Sequence, residues 1–139
     1  RALYAASQAG VRIDLIVRGA CALRPGVPGI SDNIRVRSIV GRFLEHSRLY
    51  WFGNDGAPEL YCASADWLER NLLRRVETCF PVRDPSQTQR VYDEALDNYL
   101  RDNVSAWMLQ PDGRYERLQP AEGEPPHSAQ ATLLAKICG

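Results

Sequence analysis

Residues 11–19, Val11-Arg12-Ile13-Asp14-Leu15-Ile16-Val17-Arg18-Gly19, carry the reading of the fold. Val11, Ile13, Leu15 and Val17 alternate with Arg12 and Asp14, the period-2 signature of a strand. Ile16 makes both faces apolar near the end, which predicts a strand buried in a sheet. An Ala-rich helix, Ala2 to Ala9, precedes it, and Gly10 stops that helix. The strand delivers Arg18 just past its carboxyl end, where ligands bind in open α/β sheets.

Outward from this strand, residues 24–33 are rich in Pro and Gly and read as a loop. Ser31, Asp32 or Asn33 is then positioned to cap a helix. Val36, Ile39, Val40, Phe43 and Leu44 follow at helical spacing, which predicts a helix ending near Glu45-His46. Leu49 to Phe52 and Glu59 to Ala63 flank Gly53-Asn54-Asp55-Gly56, a hairpin pattern. Arg75 to Val82 reads as a further strand. Asp84-Pro85-Ser86-Gln87 combines a capping Asp, Pro in the first turn and Gln at the third position, a strong helix start. Ala106 to Leu109 and Tyr115 to Leu118 surround Pro111-Asp112-Gly113 as a second hairpin. Ser128 can cap a last helix with Leu133, Leu134 and Ile137 turned inward. Strands and helices alternate, so the expected class is α/β (or α+β), a mixed β-sheet flanked by helices. The length, 139 residues, predicts a single domain over 1–139. Arg1 stands inside a helical pattern, so a segment of a longer protein is expected.

Hydrophobic residues make up 45% and charged residues 24%, which excludes a disordered or collagen-like chain. No apolar run reaches the roughly 20 residues of a membrane helix. Seventeen basic residues balance seventeen acidic ones, and Lys136 is the sole Lys. Arg is suited to forked, two-point binding of phosphate or carboxylate. The charges are also segregated. Residues 18–48 carry a net charge of +4 and residues 49–103 a net charge of −4. That pattern predicts a local anion site and argues against a general nucleic-acid binder. Cys21, Cys62, Cys79 and Cys138 lack Cys-x-x-Cys spacing, so reduced thiols in a cytoplasmic protein are expected and a zinc site is not.

Two residues stand out for chemistry. Arg18 ends the first strand. His46 lies in Leu44-Glu45-His46-Ser47-Arg48, between an apolar helical pattern and an apolar strand. A His beside an Arg and a carboxylate can titrate near neutrality and hydrogen-bond a phosphoryl oxygen. His127, in Pro-Pro-His-Ser, reads as loop.

Ile13 to Gly19, Leu23 to Val40, Arg42 to Tyr50, Ser64-Ala65-Asp66-Trp67 and Arg70-Asn71-Leu72 together resemble the last domain of the bacterial polyphosphate kinase family. The resemblance is strongest from Val11 to Val82. That family's catalytic region is phospholipase-D-like, with the superfamily pattern His-x-Lys, four residues, Asp, and then Gly-Ser-x-Asn. Here the counterparts are His46-Ser47-Arg48 and Ala63-Ser64-Ala65-Asp66. Arg replaces Lys, and Gly53 stands where the motif Asp would be.

The resemblance implies reversible transfer of the γ-phosphoryl of ATP to inorganic polyphosphate through a phosphohistidine formed in the preceding domain. It assigns Arg18 and His46 to the ATP phosphates, with His46 catalytic, and extends a polyphosphate path along Arg35, Arg37 and Arg48. It places the magnesium ligands outside this segment. The implied partners are ATP/ADP, polyphosphate, the preceding domain of the same chain and further copies in a homo-oligomer. Neither nucleic acid nor a transmembrane segment is implied, and peripheral membrane association stays open. Two alternatives stand beside it: a phospholipase-D-like nuclease acting as a homodimer, and a noncatalytic polyphosphate-binding module.

Overall fold

The computed structural model describes residues 1–138. The chain runs α1 (Ala2–Gln8), β1 (Ile13–Ile16), β2 (Ile34–Ile39), β3 (Arg48–Phe52), β4 (Glu59–Ala63), α2 (Glu69–Arg74), β5 (Cys79–Val82) and α3 (Pro85–Tyr92). A π-helical turn, Asp93–Asp97, leads to α4 (Asn98–Leu100), β6 (Ala106–Leu109), β7 (Tyr115–Arg117) and α5 (Ala129–Cys138). Two compact units result, one formed by 1–43 with the chain from Tyr99 onward, the other by Leu44–Asn98.

The first unit holds a four-stranded sheet of order β1-β2-β6-β7. β1 and β2 are parallel, with Ile13 opposite Ile34. β2, β6 and β7 continue antiparallel, so the sheet is mixed, as the alternation of elements predicted. β2 is an interior strand and its pattern explains why. Ile34 and Val36 face a core with Leu3, Tyr4, Ile13, Leu15 and Leu109. Ile39, on the opposite side, packs with Tyr99, Ala106, Ala129 and Leu133. Full burial of one such aliphatic side chain stabilises by about 1.5–3 kcal/mol.

Three expectations are corrected here. Residues 34–39 form a strand, not a helix. Ile34-Arg35-Val36-Arg37 alternates, and its β-branched residues suit a pleated surface. The polar groups expected to cap a helix are used locally instead. The Ser31 hydroxyl, fully buried, donates to Arg24 O at 2.7 Å and accepts from Val27 N–H at 2.9 Å. Asn33 bonds the backbone and hydroxyl of Ser7 at the end of α1. Second, β1 is half-buried along its length, because it is an edge strand paired only with β2. Third, α5 turns Ala129, Gln130 and Leu133 inward and leaves Leu134 and Ile137 exposed.

The second unit is an antiparallel sheet of order β3-β4-β5 with α2 and α3. Its hairpin has the predicted place and turn. Asn54 and Asp55 adopt φ of 42° and 49°, and Gly56 87°, the left-handed region that Asn, Asp and Gly tolerate best. The expected strand at 75–82 is shorter, Cys79–Val82. Asp84 caps α3 by accepting from Gln87 N–H at 2.9 Å.

Candidate functional site

In the first unit, the ladder between β1 and β2 continues past Ile16, where Val17 N–H donates to Arg37 O at 2.8 Å. Arg18 comes next, exposed, just past the carboxyl end of β1, which runs parallel to β2. Arg35 projects from β2 to the carboxylate of Asp14 on β1, at 3.1 Å. Arg37, two residues on and on the same face of β2, takes different partners. Its Nη1 donates to Leu100 O at 2.6 Å and lies 3.4 Å from Tyr99 O and 3.5 Å from Asp102 O. A cation on the last carbonyls of a helix satisfies acceptors that the helix itself leaves open. Burial holds the Arg37 pKa below the ordinary guanidinium value, with the Asp14 carboxylate pulling the other way.

An open depression of about 490 Å³ beside Arg37 is lined also by Arg101, Asn103, Gln119, Glu124 and His127. His127 is anchored there through its backbone. Its N–H donates to Asn103 Oδ1 at 2.7 Å and its carbonyl accepts from Asn103 N–H at 3.1 Å.

In the second unit, His46 lies exposed in the irregular segment before β3. The ladder begins two residues later, at Arg48 opposite Ala63. Arg48 Nη1 donates to His46 O, and Nε donates to Asp66 Oδ1 at 3.1 Å. Thus the counterparts of the two degenerate motif elements are joined by an ion pair. Tyr50, on the same face of β3 as Arg48, donates from its hydroxyl to Ala65 O at 3.1 Å. Its ring stacks on Trp67 with centroids 5.2 Å apart. Burial raises the Tyr50 pKa, so at neutral pH it is a hydroxyl donor. Ser64 donates to the Glu77 carboxylate and accepts from Thr78 N–H at 3.0 Å. The loop 64–67 is therefore held from both sides.

Of the residues singled out in sequence, the structure brings His46 and Arg48 together and joins Arg48 to Asp66 of the second motif element; the contacts of Tyr50 with Ala65 and Trp67 are an addition. The period-2 spacing of Arg48 and Tyr50 was the available signal. Arg35 and Arg37 share one face of β2 but meet different partners. Among the described residues no three His, Cys, Asp or Glu gather to hold a metal ion. No helix among them is long and apolar enough to cross a membrane.

Comparison with known proteins bears on what this arrangement serves. Residues 1–130 match the family described as polyphosphate kinase C-terminal domain 2. Over 137 residues the chain is 68% identical to a polyphosphate kinase of Xylella fastidiosa and 64% identical to one of Pseudomonas aeruginosa, covering 99% of this chain and 20% of each relative. The crystal structure of polyphosphate kinase from Porphyromonas gingivalis superposes with a TM-score of 0.90 at 44% identity, over 99% of this chain and 21% of that one. The chain spans about a fifth of the length of these relatives.

Proposed function

We propose, from the premise that this chain belongs to the polyphosphate kinase C-terminal domain 2 family, that it serves as the carboxy-terminal domain of an ATP-dependent polyphosphate kinase. The single observation that carries the reading is the family match across residues 1–130, accompanied by 68% identity to a protein of that name. In this reading the whole enzyme moves the γ-phosphoryl of ATP reversibly to the end of a polyphosphate chain, in the cytoplasm, as a homo-oligomer. The phosphohistidine forms outside this segment.

Arg18 and His46 are the residues we assign to phosphate contact. A guanidinium grips two phosphoryl oxygens in its fork. An imidazole can donate to a phosphoryl oxygen or move a proton at it. Transfer of a phosphoryl group asks the protein mainly for positioning and for stabilising charge, which both groups supply. Magnesium belongs to the expected reaction, but the described residues offer no cluster that fits it. No step assigned here runs through a metal. Arg35 and Arg37 already answer Asp14 and the α4 carbonyls, so the reading does not require them to touch polyphosphate.

The test compares two proteins. The full-length polypeptide that contains this segment, given ATP labelled in the γ-phosphoryl, should build acid-insoluble polyphosphate. The isolated 139 residues should not. Chain growth by the segment alone, or hydrolysis of a bis-aryl phosphodiester by the full-length protein in place of chain growth, would overturn the proposal.

A further inference from the structure

The geometry points to Arg48 as the positioning residue of His46, an inference that rests on the phosphate-contact role proposed for His46. His46 lies outside the β3–β4 ladder, whose first pair is Arg48 and Ala63. The Arg48 guanidinium ties its backbone to the sheet, donating from Nη1 to His46 O. The same guanidinium donates from Nε to Asp66 Oδ1 at 3.1 Å. One planar, rigid group therefore spans the segment before β3 and the loop after β4. That loop is itself fixed one residue away by the hydroxyl of Tyr50 on Ala65 O, at 3.1 Å. The carbonyl of His46 is thus referenced to a braced loop.

Charge and burial separate this role from a substrate-contacting one. The Arg48 side chain is 23% exposed, against 54% for Arg35, which extends from β2 toward solvent. Two of the five N–H groups of the Arg48 fork are committed inside the unit, and the Asp66 carboxylate answers its charge. A passing anionic chain meets a cation already neutralised. The motif position occupied by Lys in the wider superfamily has become, with Arg, a bridge from two nitrogens of one rigid plane, a geometry that the single nitrogen of an ammonium does not reproduce.

The experiment uses the full-length enzyme and the variants Arg48→Gln, Arg48→Lys, Asp66→Asn, His46→Ala and Arg48→Gln/His46→Ala. Misplacing a reacting group by about 1 Å costs on the order of 100-fold. Arg48→Gln should therefore lower kcat by roughly 10- to 100-fold, with KM for ATP and polyphosphate and their salt dependence unchanged. Arg48→Lys should recover little of the loss, and Asp66→Asn should shift kcat in the same direction. The double variant should be no slower than His46→Ala, because both changes act through one group. Deuterium uptake by the peptide spanning residues 44–49 should rise in Arg48→Gln, and this readout does not depend on turnover. Losses that multiply in the double variant, a raised KM for polyphosphate at unchanged kcat, or unchanged uptake would overturn the inference. If Arg48→Gln does not fold, Arg48→Lys and Asp66→Asn carry the same comparisons. Full activity in His46→Ala, with increased uptake in Arg48→Gln, would instead remove the phosphate-contact reading and leave the positioning tie standing.

Discussion

The carboxamide of Gln130 closes a two-point bridge on the backbone of Phe43. Its Oε1 accepts from Phe43 N–H at 2.9 Å, and its Nε2 donates to Phe43 O at 2.8 Å. A side chain at the start of α5 thereby acts as one rung of a strand ladder for a segment that has none of its own. The bridge accounts for Gly41. A Cβ there would stand 2.3 Å from Gln130 Oε1 and 2.7 Å from Cδ.

Gly41→Ala should therefore destabilise the first unit by about 1–3 kcal/mol, the net value of two such hydrogen bonds. Urea unfolding measures it. In a Gln130→Ala background the same Gly41→Ala change should cost nothing further. Equal losses in both backgrounds would show that the glycine is needed for another reason.

Asp102 makes a second such linkage, and it is 1% exposed. Its Oδ2 accepts from Ala129 N–H at 2.8 Å, at the first turn of α5, and its Oδ1 accepts from Val104 N–H at 3.1 Å and Ser105 N–H at 2.6 Å. Asp102→Ala would leave these donors without their acceptor. A single buried donor left unpaired costs about 1–3 kcal/mol, so a total of about 3 kcal/mol or more is expected from the unfolding midpoint. Asp112→Ala, in the exposed β6–β7 turn where water can replace the lost acceptor, should cost much less in the same assay.

How much of this was legible from residues alone varies along the chain for physical reasons. The β3–β4 hairpin was, because residues 54–56 take left-handed backbone and the sequence supplies Asn, Asp and Gly there. The start of α3 was, because the Asp84 cap is a local interaction. Residues 34–44 were misread because their apolar residues fit a 3.6-residue period as well as a 2-residue one. The helical reading counted Val40 and Leu44 as core, and they are 64% and 69% exposed. The β-branched alternation of Ile34 and Val36 was the better guide. At the candidate site, His46 and Arg48 were visible as a short motif. Asp66 was visible as part of the second motif element, but its bond to Arg48 was not, because the two are 18 residues apart and the strand register brings them together.

The cap of α3 gives a pH dependence. The Ser86 hydroxyl and Gln87 N–H both donate to Asp84 and hold its carboxyl below the usual carboxylate range. In the unfolded chain the group titrates near 3.9. Its lowered folded value means that the cap contributes stability above roughly pH 4 and loses it as pH falls through the folded value. Asp84→Ala should thus reduce stability at pH 6. The difference from the parent should shrink progressively as the pH is lowered toward 2. A difference that stays constant over that range would exclude the carboxylate as its source.

The two histidines should behave oppositely in the full-length enzyme. His46→Ala should lower activity by about 10²- to 10⁴-fold, the range for a positioned donor or proton carrier. His127 is fixed through backbone bonds to Asn103, which alanine keeps. His127→Ala should therefore be nearly silent. Similar losses in the two variants would defeat the assignment of His46.

Arg18 supplies the sharpest test of fork geometry against charge. It is exposed, one residue beyond the bond from Val17 N–H to Arg37 O that ends the β1–β2 ladder. If it grips two phosphoryl oxygens, Arg18→Lys keeps the positive charge and loses the two-point hold. The expected cost is on the order of 2–4 kcal/mol of transition-state stabilisation, by analogy with the loss of one preorganised donor. Charge builds up during transfer, so the loss should fall on kcat and not on KM for ATP alone. Stability should hardly change, because an exposed side chain past the end of a strand contributes little to the core. Arg114→Lys is the control. Arg114 is also exposed and pairs with Asp112 at 2.6 Å in the β6–β7 turn, far along the chain from the assigned residues. It should leave turnover unchanged. Near-normal turnover in Arg18→Lys, or a variant that unfolds, would remove Arg18 from the phosphate-contact role and leave it a structural residue of the β1 terminus.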